Sequence, residues 1–567
     1  MVQKIRKAAE FAKPATAWAA ALLVLATPAT SLAQGQLGDL GNAGSVDPTI
    51  DRDRTDRTAP QPTLSTEQAA DLPRGELEVS VPQSSDVAGT RLASVRFEGA
   101  SLPAGQLAMA VREYVGQALT AETVQAIAAA VSAIYADSDI AYYSVMVPPQ
   151  VPTGGVLLVR VTEGRLVEHR IIDPTPSTPD RLIAAYVENM MGQPLRKSTL
   201  DRYLTLIRAI PGQTVQARIL QRNTAGELAL ELEIDRRQVE VQLTIDNSGV
   251  SNVLSSPQAQ VAVSLNGVVR EGDSTRITAY APFTPDRYQF YSLTHETPIG
   301  SDGFTLAGSA AHMRTRTRNG IEGRATLGGI TARYPIVRSA TRNVVLSASL
   351  DGTESTNYFL DTAFGDYQTR VARFGAVISD GDARQAFAVS GVLSRGLDIL
   401  GARPFTGYSE ETFTKLNLSA SFAQRIGDDF LVRVNTKGQY SDDLLPVTER
   451  FSLGGRGAGM AFRSGTRTAD RGIGGSAEVS RPFTLPSGFI NRVELFAFAD
   501  GSHGRSLARP VYNLSATDYS LASAGGGFRL TLADRFSASA EVAIPIDLPT
   551  QNDSRSARFL FGIGAKL

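Results

Sequence analysis

The sequence predicts two small α+β modules followed by a transmembrane β barrel of about sixteen antiparallel strands. Three observations lead to this fold class. The chain begins with an export signal, a strand-helix-helix-strand-strand order occurs twice, and alternating polar and apolar residues continue from Gln238 to the end.

Composition excludes several kinds of function. The 567 residues carry 56 Lys and Arg against 57 Asp and Glu, so the basic excess typical of nucleic-acid binders is absent. The chain has no Cys, which excludes disulfides, thiolate nucleophiles and Cys-ligated metals. Its four His (His169, His295, His312 and His503) lie far apart in the sequence. We therefore expect a protein that is not an enzyme, with no catalytic residues, no metal, no cofactor and no nucleic-acid partner.

Residues 1–33 have the pattern of a secretory signal peptide. Lys4, Arg6 and Lys7 precede an apolar run at 15–26, and Ser31-Leu32-Ala33 resembles a cleavage site. In a helix this run spans about 18 Å, less than the ~30 Å hydrocarbon core. Because no later stretch is long and apolar enough for a membrane helix, a soluble exported protein and an outer-membrane barrel remain.

Two similar modules follow a polar segment. Residues 34–88 are rich in Gly, Pro, Ser, Thr, Asp and Arg, which favours a flexible linker, with a segment that plugs the pore as the alternative. Residues 89–164 then read as strand, helix, helix, strand, strand, with Thr120 as the N-cap of the second helix. Residues 165–236 repeat this order without obvious sequence identity.

Period-two alternation occupies residues 237–567. Val239, Val241 and Leu243, for example, alternate with polar neighbours. One apolar face over about ten residues suits a tilted strand in a bilayer, and the polar face can line a wet lumen. Open sheet edges cannot face lipid, so the sheet must close. We therefore predict an outer-membrane β barrel with short periplasmic turns and long outside connections, among them 352–367 and 443–470.

Local motifs point to one family. The first module contains Phe97-Glu98-Gly99, Val147-Pro148-Pro149-Gln150 and Val161-Thr162-Glu163-Gly164. The predicted sixth outside loop contains Phe451-Ser452-Leu453-Gly454-Gly455, and the thirteenth strand contains Phe498-Ala499-Asp500-Gly501. With the domain order, these motifs resemble the haemolysin secretion/activation proteins, the TpsB transporters of two-partner secretion. The modules would be the POTRA domains of that family.

The resemblance implies a location and a function. The barrel would lie in the outer membrane of a Gram-negative bacterium, with the POTRA domains in the periplasm. They would capture an unfolded exoprotein, which passes through the pore to the surface or the medium, with or without activation. The implied partners are a TpsA-like exoprotein of the adhesin or haemolysin class, outer-membrane lipid and lipopolysaccharide, and the barrel-assembly machinery, around a monomeric transporter. An outer-membrane protein insertase of the same superfamily and a passive porin-like channel stay open as alternatives.

The resemblance also implies a contact between loop six and the barrel wall. In the family, a loop arginine pairs inside the barrel with an aspartate of strand thirteen, and Asp500 matches the aspartate. The arginine position carries Met460 instead, so either one of the flanking arginines, Arg456 or Arg463, supplies the charge, or the pair is absent and the loop is held differently. The predicted loop-six site consists of Gly454, Gly455, Arg456, Met460, Phe462, Arg463 and Asp500.

Two other sets of residues are candidate surfaces. An exoprotein strand could be added to an exposed sheet edge, and the predicted edge is Tyr142, Tyr143, Val145 and Val147. A second set alternates on one strand face and comprises Arg314, Arg316 and Arg318. We interpret this second set as the solvated edge of a loop, with a contact to the lumen or the exoprotein as the alternative.

Overall fold

The computed structural model describes residues 75–77, 90–173, 180–249, 257–283, 287–317, 320–427, 429–485, 489–533, 535–551 and 553–567. The predicted signal peptide and most of the predicted linker lie outside the described residues. The predicted fold class is confirmed, because two small α+β domains precede a closed barrel of 16 antiparallel strands. Among the described helices, none has both the length and the hydropathy needed to cross a membrane.

The first small domain has the predicted element order, preceded by a two-residue strand. Its elements are β1 (Gly75–Glu76), β2 (Ser94–Glu98), α1 (Ala104–Val111), α2 (Ala121–Asp137), β3 (Tyr142–Met146) and β4 (Val156–Glu163). The sheet order is β1-β3-β4-β2. The Thr120 side chain accepts a hydrogen bond from the Thr123 N–H at 3.2 Å, which confirms the predicted N-cap. One face of α2, with Ile127, Val131 and Tyr135, packs on the sheet as the core.

The second small domain repeats the order on a sheet with the order β5-β7-β6. Its elements are β5 (Arg165–Ile172), α3 (Arg181–Glu188), α4 (Lys197–Arg208), β6 (Gln213–Gln221) and β7 (Glu227–Arg236). The core lies between both helices and β7, where Leu230 and Leu232 are fully buried.

The barrel begins directly after the second domain. Its strands are β8 (Val239–Asp246), β9 (Gln258–Asn266), β10 (Ser274–Pro282), β11 (Tyr288–Ile299), β12 (Phe304–Arg316), β13 (Ile321–Arg338), β14 (Arg342–Phe359), β15 (Thr362–Gly381), β16 (Gln385–Gly396), β17 (Thr414–Ile426), β18 (Phe430–Tyr440), β21 (Arg471–Thr484), β22 (Ile490–Ser506), β23 (Thr517–Leu532), β24 (Phe536–Asp547) and β25 (Arg558–Lys566). The last strand, β25, pairs with the first, β8, and closes the ring. Two short strands, β19 (Phe451–Leu453) and β20 (Arg467–Ala469), form a hairpin inside loop six, the connection between β18 and β21.

The strand register shows which side chains face the lumen. Arg373 on β15 reaches Glu449 in loop six, with 2.7 Å between guanidinium and carboxylate, so Arg373 points inward. Arg373 lies opposite Ser349 on β14, and Asp351 of that strand lies opposite Gly329 on β13. Because strand faces alternate, odd-numbered residues of these three strands face the lumen between the register shifts at Pro335/Val337 and Asn357/Tyr358. The even-numbered positions face the membrane, in agreement with the 61% exposure of Ile330.

One predicted outside connection was wrong. The stretch 352–367 forms the extended ends of β14 and β15, paired up to Phe359 and Thr362. Leu360 and Asp361 form the tight turn between them, with φ of 47° and 62°. The polar alternation here resembles a loop, but it also suits strands that continue into water beyond the membrane.

The second small domain is attached to the short turns of the barrel. Glu271, between β9 and β10, accepts hydrogen bonds from the N–H groups of Leu182 (2.7 Å) and Ile183 (3.3 Å) and so caps α3. Burial raises the pKa of the Glu271 carboxyl, although these two N–H groups act in the opposite direction. Arg202 of α4 donates to the side chain of Asp302, between β11 and β12, at 2.9 and 3.0 Å. These contacts hold the second domain at one end of the barrel.

Candidate functional site

Loop six enters the lumen, and its tip contacts the inner face of β22 and β23. The Asp500 carboxylate accepts hydrogen bonds from the N–H groups of Gly459 at 3.0 Å and of Met460 at 2.9 and 3.1 Å. The Ser523 hydroxyl donates to Asp500 and accepts from the Ala461 N–H at 3.2 Å. Asp500 therefore faces the lumen, as its strand phase predicts, and binds the loop through backbone donors.

Of the two flanking arginines, Arg456 pairs with an acid other than Asp500. Arg456 forms an ion pair with Glu541 on β24, whose side chain is 2% exposed. The carbonyl of Arg463 accepts the Thr466 N–H at 3.2 Å in a turn of the loop. The alternative that one of these arginines replaces the family's arginine at Asp500 is therefore wrong for Arg456, which pairs with Glu541 two strands away from Asp500.

Met460 occupies an apolar pocket on the lumen wall. Its side chain is 6% exposed and packs with Phe496, Phe498, Ala543 and Leu560. A carboxylate that accepts several backbone N–H groups is well stabilised without a cation. At this position, an apolar side chain together with backbone donors takes the place of the expected arginine–aspartate pair.

The backbone conformation of loop six favours glycine at Gly454 and Gly455. Gly454 has φ of 93°, and a Cβ there would lie 2.4 Å from the Arg463 carbonyl oxygen. Gly455 has φ of 83°, and its N–H donates to the Phe462 carbonyl at 3.1 Å. Phe462 is buried against Phe451, Leu453, Ala469 and Leu521. The tip is thus a compact turn, and L side chains at 454 would clash with it.

Arg558, the first residue of β25, contacts the same tip, and sequence reasoning missed it. Its guanidinium donates to the carbonyls of Met460 at 3.1 Å and Phe462 at 2.6 Å. It also donates to the carbonyl of Ser248, which follows β8. One side chain thereby joins loop six to both strands of the barrel closure. No local pattern could have revealed these long-range carbonyl contacts.

Two buried ionic clusters hold the base of loop six. Glu449 is 1% exposed and lies 2.7 Å from Arg373 and 2.8 Å from Lys415. Asp470 is fully buried and lies 2.9 Å from Arg509, which follows β22. Breaking a buried pair by removing one partner typically costs about 3–5 kcal/mol. The loop is therefore fastened at its base as well as at its tip.

The predicted edge of the first small domain lies on and directly after β3. Tyr142 and Tyr143 are each 8% exposed, and Val145 and Val147 pack against the domain core, so the side chains of this set are mostly covered. Burial raises the pKa of the Tyr142 hydroxyl. A partner strand would therefore bind the backbone N–H and C=O groups of β3 rather than these side chains.

That backbone edge is covered by β1 of the same chain. β1 runs parallel to β3, and the Leu77 N–H donates to the Tyr143 carbonyl at 3.0 Å. The Leu77 side chain is 6% exposed and belongs to the core of the second small domain. A segment of the predicted linker therefore forms the outermost strand of this sheet.

Comparison with protein families gives two matches. The model of the haemolysin secretion/activation protein ShlB/FhaC/HecB matches residues 218–530. The model of the ShlB-type POTRA domain matches residues 90–164, the first small domain.

Individual proteins are similar over most of the chain. The outer membrane transporter CdiB of Dickeya dadantii is 23% identical over 424 residues, which cover 70% of this chain and 72% of that protein. The hemolysin transporter protein HpmB of Proteus mirabilis is 26% identical over 328 residues, 52% of this chain and 56% of that protein, so the match spans about half of it. The solved structure of CdiB from Escherichia coli has a TM-score of 0.74 at 19% identity, covering 95% of this chain and 100% of that chain.

Proposed function

Because this chain belongs to the haemolysin secretion/activation protein family, we propose that it exports an unfolded exoprotein by two-partner secretion. The chain is an outer-membrane protein with POTRA domains in the periplasm. The observation that carries the proposal is that a POTRA domain and a second small α+β domain are joined to a closed 16-stranded barrel. Capture and passage are thus provided within one chain.

The remaining parts of the proposal rest on membership of the family. The partner is a TpsA-like exoprotein of the adhesin or haemolysin class, and the transporter acts as a monomer that is not an enzyme. It is surrounded by outer-membrane lipid and lipopolysaccharide and is inserted by the barrel-assembly machinery. The attachment of the second POTRA domain to Glu271 and Asp302 supports periplasmic delivery, because it holds that domain at the barrel entrance.

The test compares culture supernatants and outer membranes of strains with and without the protein. We expect the loss of one or two large exported proteins with an unchanged membrane profile. A general fall in other barrel proteins would instead indicate an insertase, and a strain without any change in exported proteins would indicate a passive channel.

For capture, we propose that a strand of the exoprotein adds to the edge at Tyr142, Tyr143, Val145 and Val147. An exposed strand edge offers unpaired backbone groups to a second chain. Here β1 covers part of that edge, so an incoming strand must displace Gly75–Leu77. The short β1 has a register of only two residue pairs, which supports its displacement by a longer strand.

The variant Leu77→Asp tests this step. A carboxylate in the apolar core of the second domain costs several kcal/mol, so the variant should release β1 while leaving the edge itself intact. We expect tighter binding of an amino-terminal fragment of the exoprotein found in the supernatant comparison. The control is Val151→Asp, at a position that is 80% exposed. Equal binding by the wild type and both variants would contradict displacement.

A further inference from the structure

Three arginines on β12 and β13 face the membrane rather than the lumen. The register places Met313 opposite Ala325, and both are buried on the inward, odd-numbered face. Arg314, Arg316 and Arg324 therefore point outward, on the same face as Ile330. The alternative that Arg314 and Arg316 contact the lumen is wrong, and Arg318 lies outside the described residues.

These outward arginines converge on one covered carboxylate. Glu322 lies 3.0 Å from Arg314, 3.4 Å from Arg316 and 2.8 Å from Arg324. The Glu322 side chain is 8% exposed, whereas those of the arginines are 46%, 47% and 50% exposed. The acid is thus hidden beneath three guanidinium groups, which form most of the outer surface of the cluster. We call Arg314, Arg316, Glu322 and Arg324 the outer arginine cluster.

The cluster has more positive charge than its own acid can balance. Arg314 lies directly opposite Arg324 across the two strands, an arrangement that destabilises a sheet when like charges are unbalanced. Asp361, in the turn after β14, is a further acid near Arg324. The neighbouring Arg370 and Glu354 pair with each other, 3.1 Å apart. The three arginines together with Glu322 and Asp361 therefore carry a net charge of +1.

The cluster lies at the outer surface of the membrane. β12 rises from the turn that contacts the second POTRA domain through Asp302, so its far end is extracellular. Tyr334, at the periplasmic end of the same outward face, is ten positions from Arg324 on β13. At about 3.4 Å per residue and a tilt of about 40°, this is a height of about 26 Å, close to the ~25 Å apolar band of such barrels. Tyr334 and Arg324 therefore mark the two interfaces.

The chemistry at this level favours a phosphorylated lipid. Each guanidinium has five N–H donors, and one carboxylate cannot occupy all donors of three arginines. Guanidinium groups bind phosphate oxygens by paired, charge-assisted hydrogen bonds. The Arg324 guanidinium also lies 4.9 Å from the Tyr358 ring centroid, which supports it from one side. Exposed Ile330 and Leu350 on the same outward face below can contact acyl chains.

We propose that the outer arginine cluster binds the phosphate groups of lipopolysaccharide in the outer leaflet, while the apolar surface below contacts its acyl chains. Glu322 gathers the arginines, and the lipid phosphates supply the missing negative charge. The bound glycolipid holds β12 and β13 at a defined depth in the membrane. This inference deepens the lipid contact named in the proposed function and rests on its membrane orientation, not on the identity of the exoprotein.

The test measures lipopolysaccharide retained by the purified full-length protein in mild detergent, and its binding when added back. The variant Arg314→Gln/Arg316→Gln/Arg324→Gln removes the cluster's positive charge. The matched control is Arg481→Gln, an outward arginine at the periplasmic end of β21 that also pairs with an acid, Asp429, at 3.2 Å. Heat-modifiable migration in gels reports whether each variant is folded, and Arg324→Gln alone is used if the triple variant does not fold.

We expect roughly fivefold weaker binding for each arginine removed, since a basic residue near an anionic lipid surface contributes about 1 kcal/mol. Arg481→Gln should bind as the wild type does. Glycolipid from which the phosphates have been removed should bind the wild type weakly.

Equal binding by the triple variant, or equal binding of the dephosphorylated glycolipid, would overturn the proposal. Displacement of the intact glycolipid by inorganic phosphate at equal concentration would also overturn it, because the site would then bind free phosphate. Export of the exoprotein is assayed separately, so failure here leaves the proposed function standing.

Discussion

Asp500 binds loop six through the loop's backbone, and this determines which substitutions matter. The donors are the N–H groups of Gly459 and Met460, so the contact does not depend on any loop side chain. The Met460 side chain adds apolar contacts with Phe496 and Phe498. A chain that lacks the expected arginine can therefore keep its loop in the lumen.

Asp500→Asn should loosen the tip of loop six. The amide offers one acceptor oxygen in place of two, and its NH₂ group would face the loop's N–H donors. We expect a loss of about 1–3 kcal/mol of stability and a higher basal conductance in planar bilayers. Asp518→Asn, at an exposed pair with Arg505, is the control and should change neither quantity. Unchanged conductance in Asp500→Asn would show that the tip is held by other contacts.

At the scale of elements, α3 and α4 are positioned by turns of the barrel. Arg202 donates to Asp302 and to the carbonyl of Pro335 at 3.1 Å, so one side chain of α4 contacts both a turn and the periplasmic end of β13. Gly272, in another turn, has φ of 80°, and a Cβ there would lie 2.6 Å from the Leu182 side chain. The second small domain is therefore fitted to the turns, with little space between them.

Arg202→Ala should free this domain from the barrel. The Asp302 side chain is half exposed, so we expect a loss of only about 1 kcal/mol. The more sensitive measurement is hydrogen exchange, which should become faster in α4 and in the turn around Asp302. Arg218→Ala, on the exposed side of β6, should leave these segments unchanged. If exchange in α4 is the same in both variants, Arg202 does not hold the domain.

Sequence patterns predicted what depends on neighbours along the chain. Thr120 capped its helix, and the phase of β22 turned Asp500 inward. Contacts that depend on strands far apart in sequence could not be predicted, such as Arg456 with Glu541 and Arg558 with the loop carbonyls. For Arg314 and Arg316 the alternation revealed a shared face, but only the register of the closed barrel showed which face meets the membrane.

At the scale of the whole molecule, Arg558 links the loop tip to the closure of the barrel. Arg558→Ala removes donors to Met460, Phe462 and Ser248 at once. We therefore expect higher basal conductance, from loosening of both the loop and the β8–β25 pair. The control Arg505→Ala, at an exposed pair with Asp518, should conduct as the wild type does.

An engineered disulfide distinguishes loosening of loop six from loosening of the β8–β25 pair. Ile245 and Ile563 lie directly opposite each other in β8 and β25, and the chain has no Cys that could interfere. With Ile245→Cys and Ile563→Cys oxidised, the closure cannot open. Conductance of Arg558→Ala that then returns to the wild-type value would assign the effect to the closure, and conductance that stays high would assign it to loop six. No rise in Arg558→Ala itself would contradict the link.

The barrel closure has a mechanical consequence. Its register covers only 242–246 against 562–566, whereas β13 and β14 are paired from Ile321 to Arg338. A closed barrel that is stretched from within carries equal tension at every pair of neighbouring strands, so it opens first at the pair with the fewest hydrogen bonds. An exoprotein segment too wide for the lumen would therefore separate β8 from β25 first. Arg558 opposes this separation, because from β25 it binds the carbonyl of Ser248 just after β8.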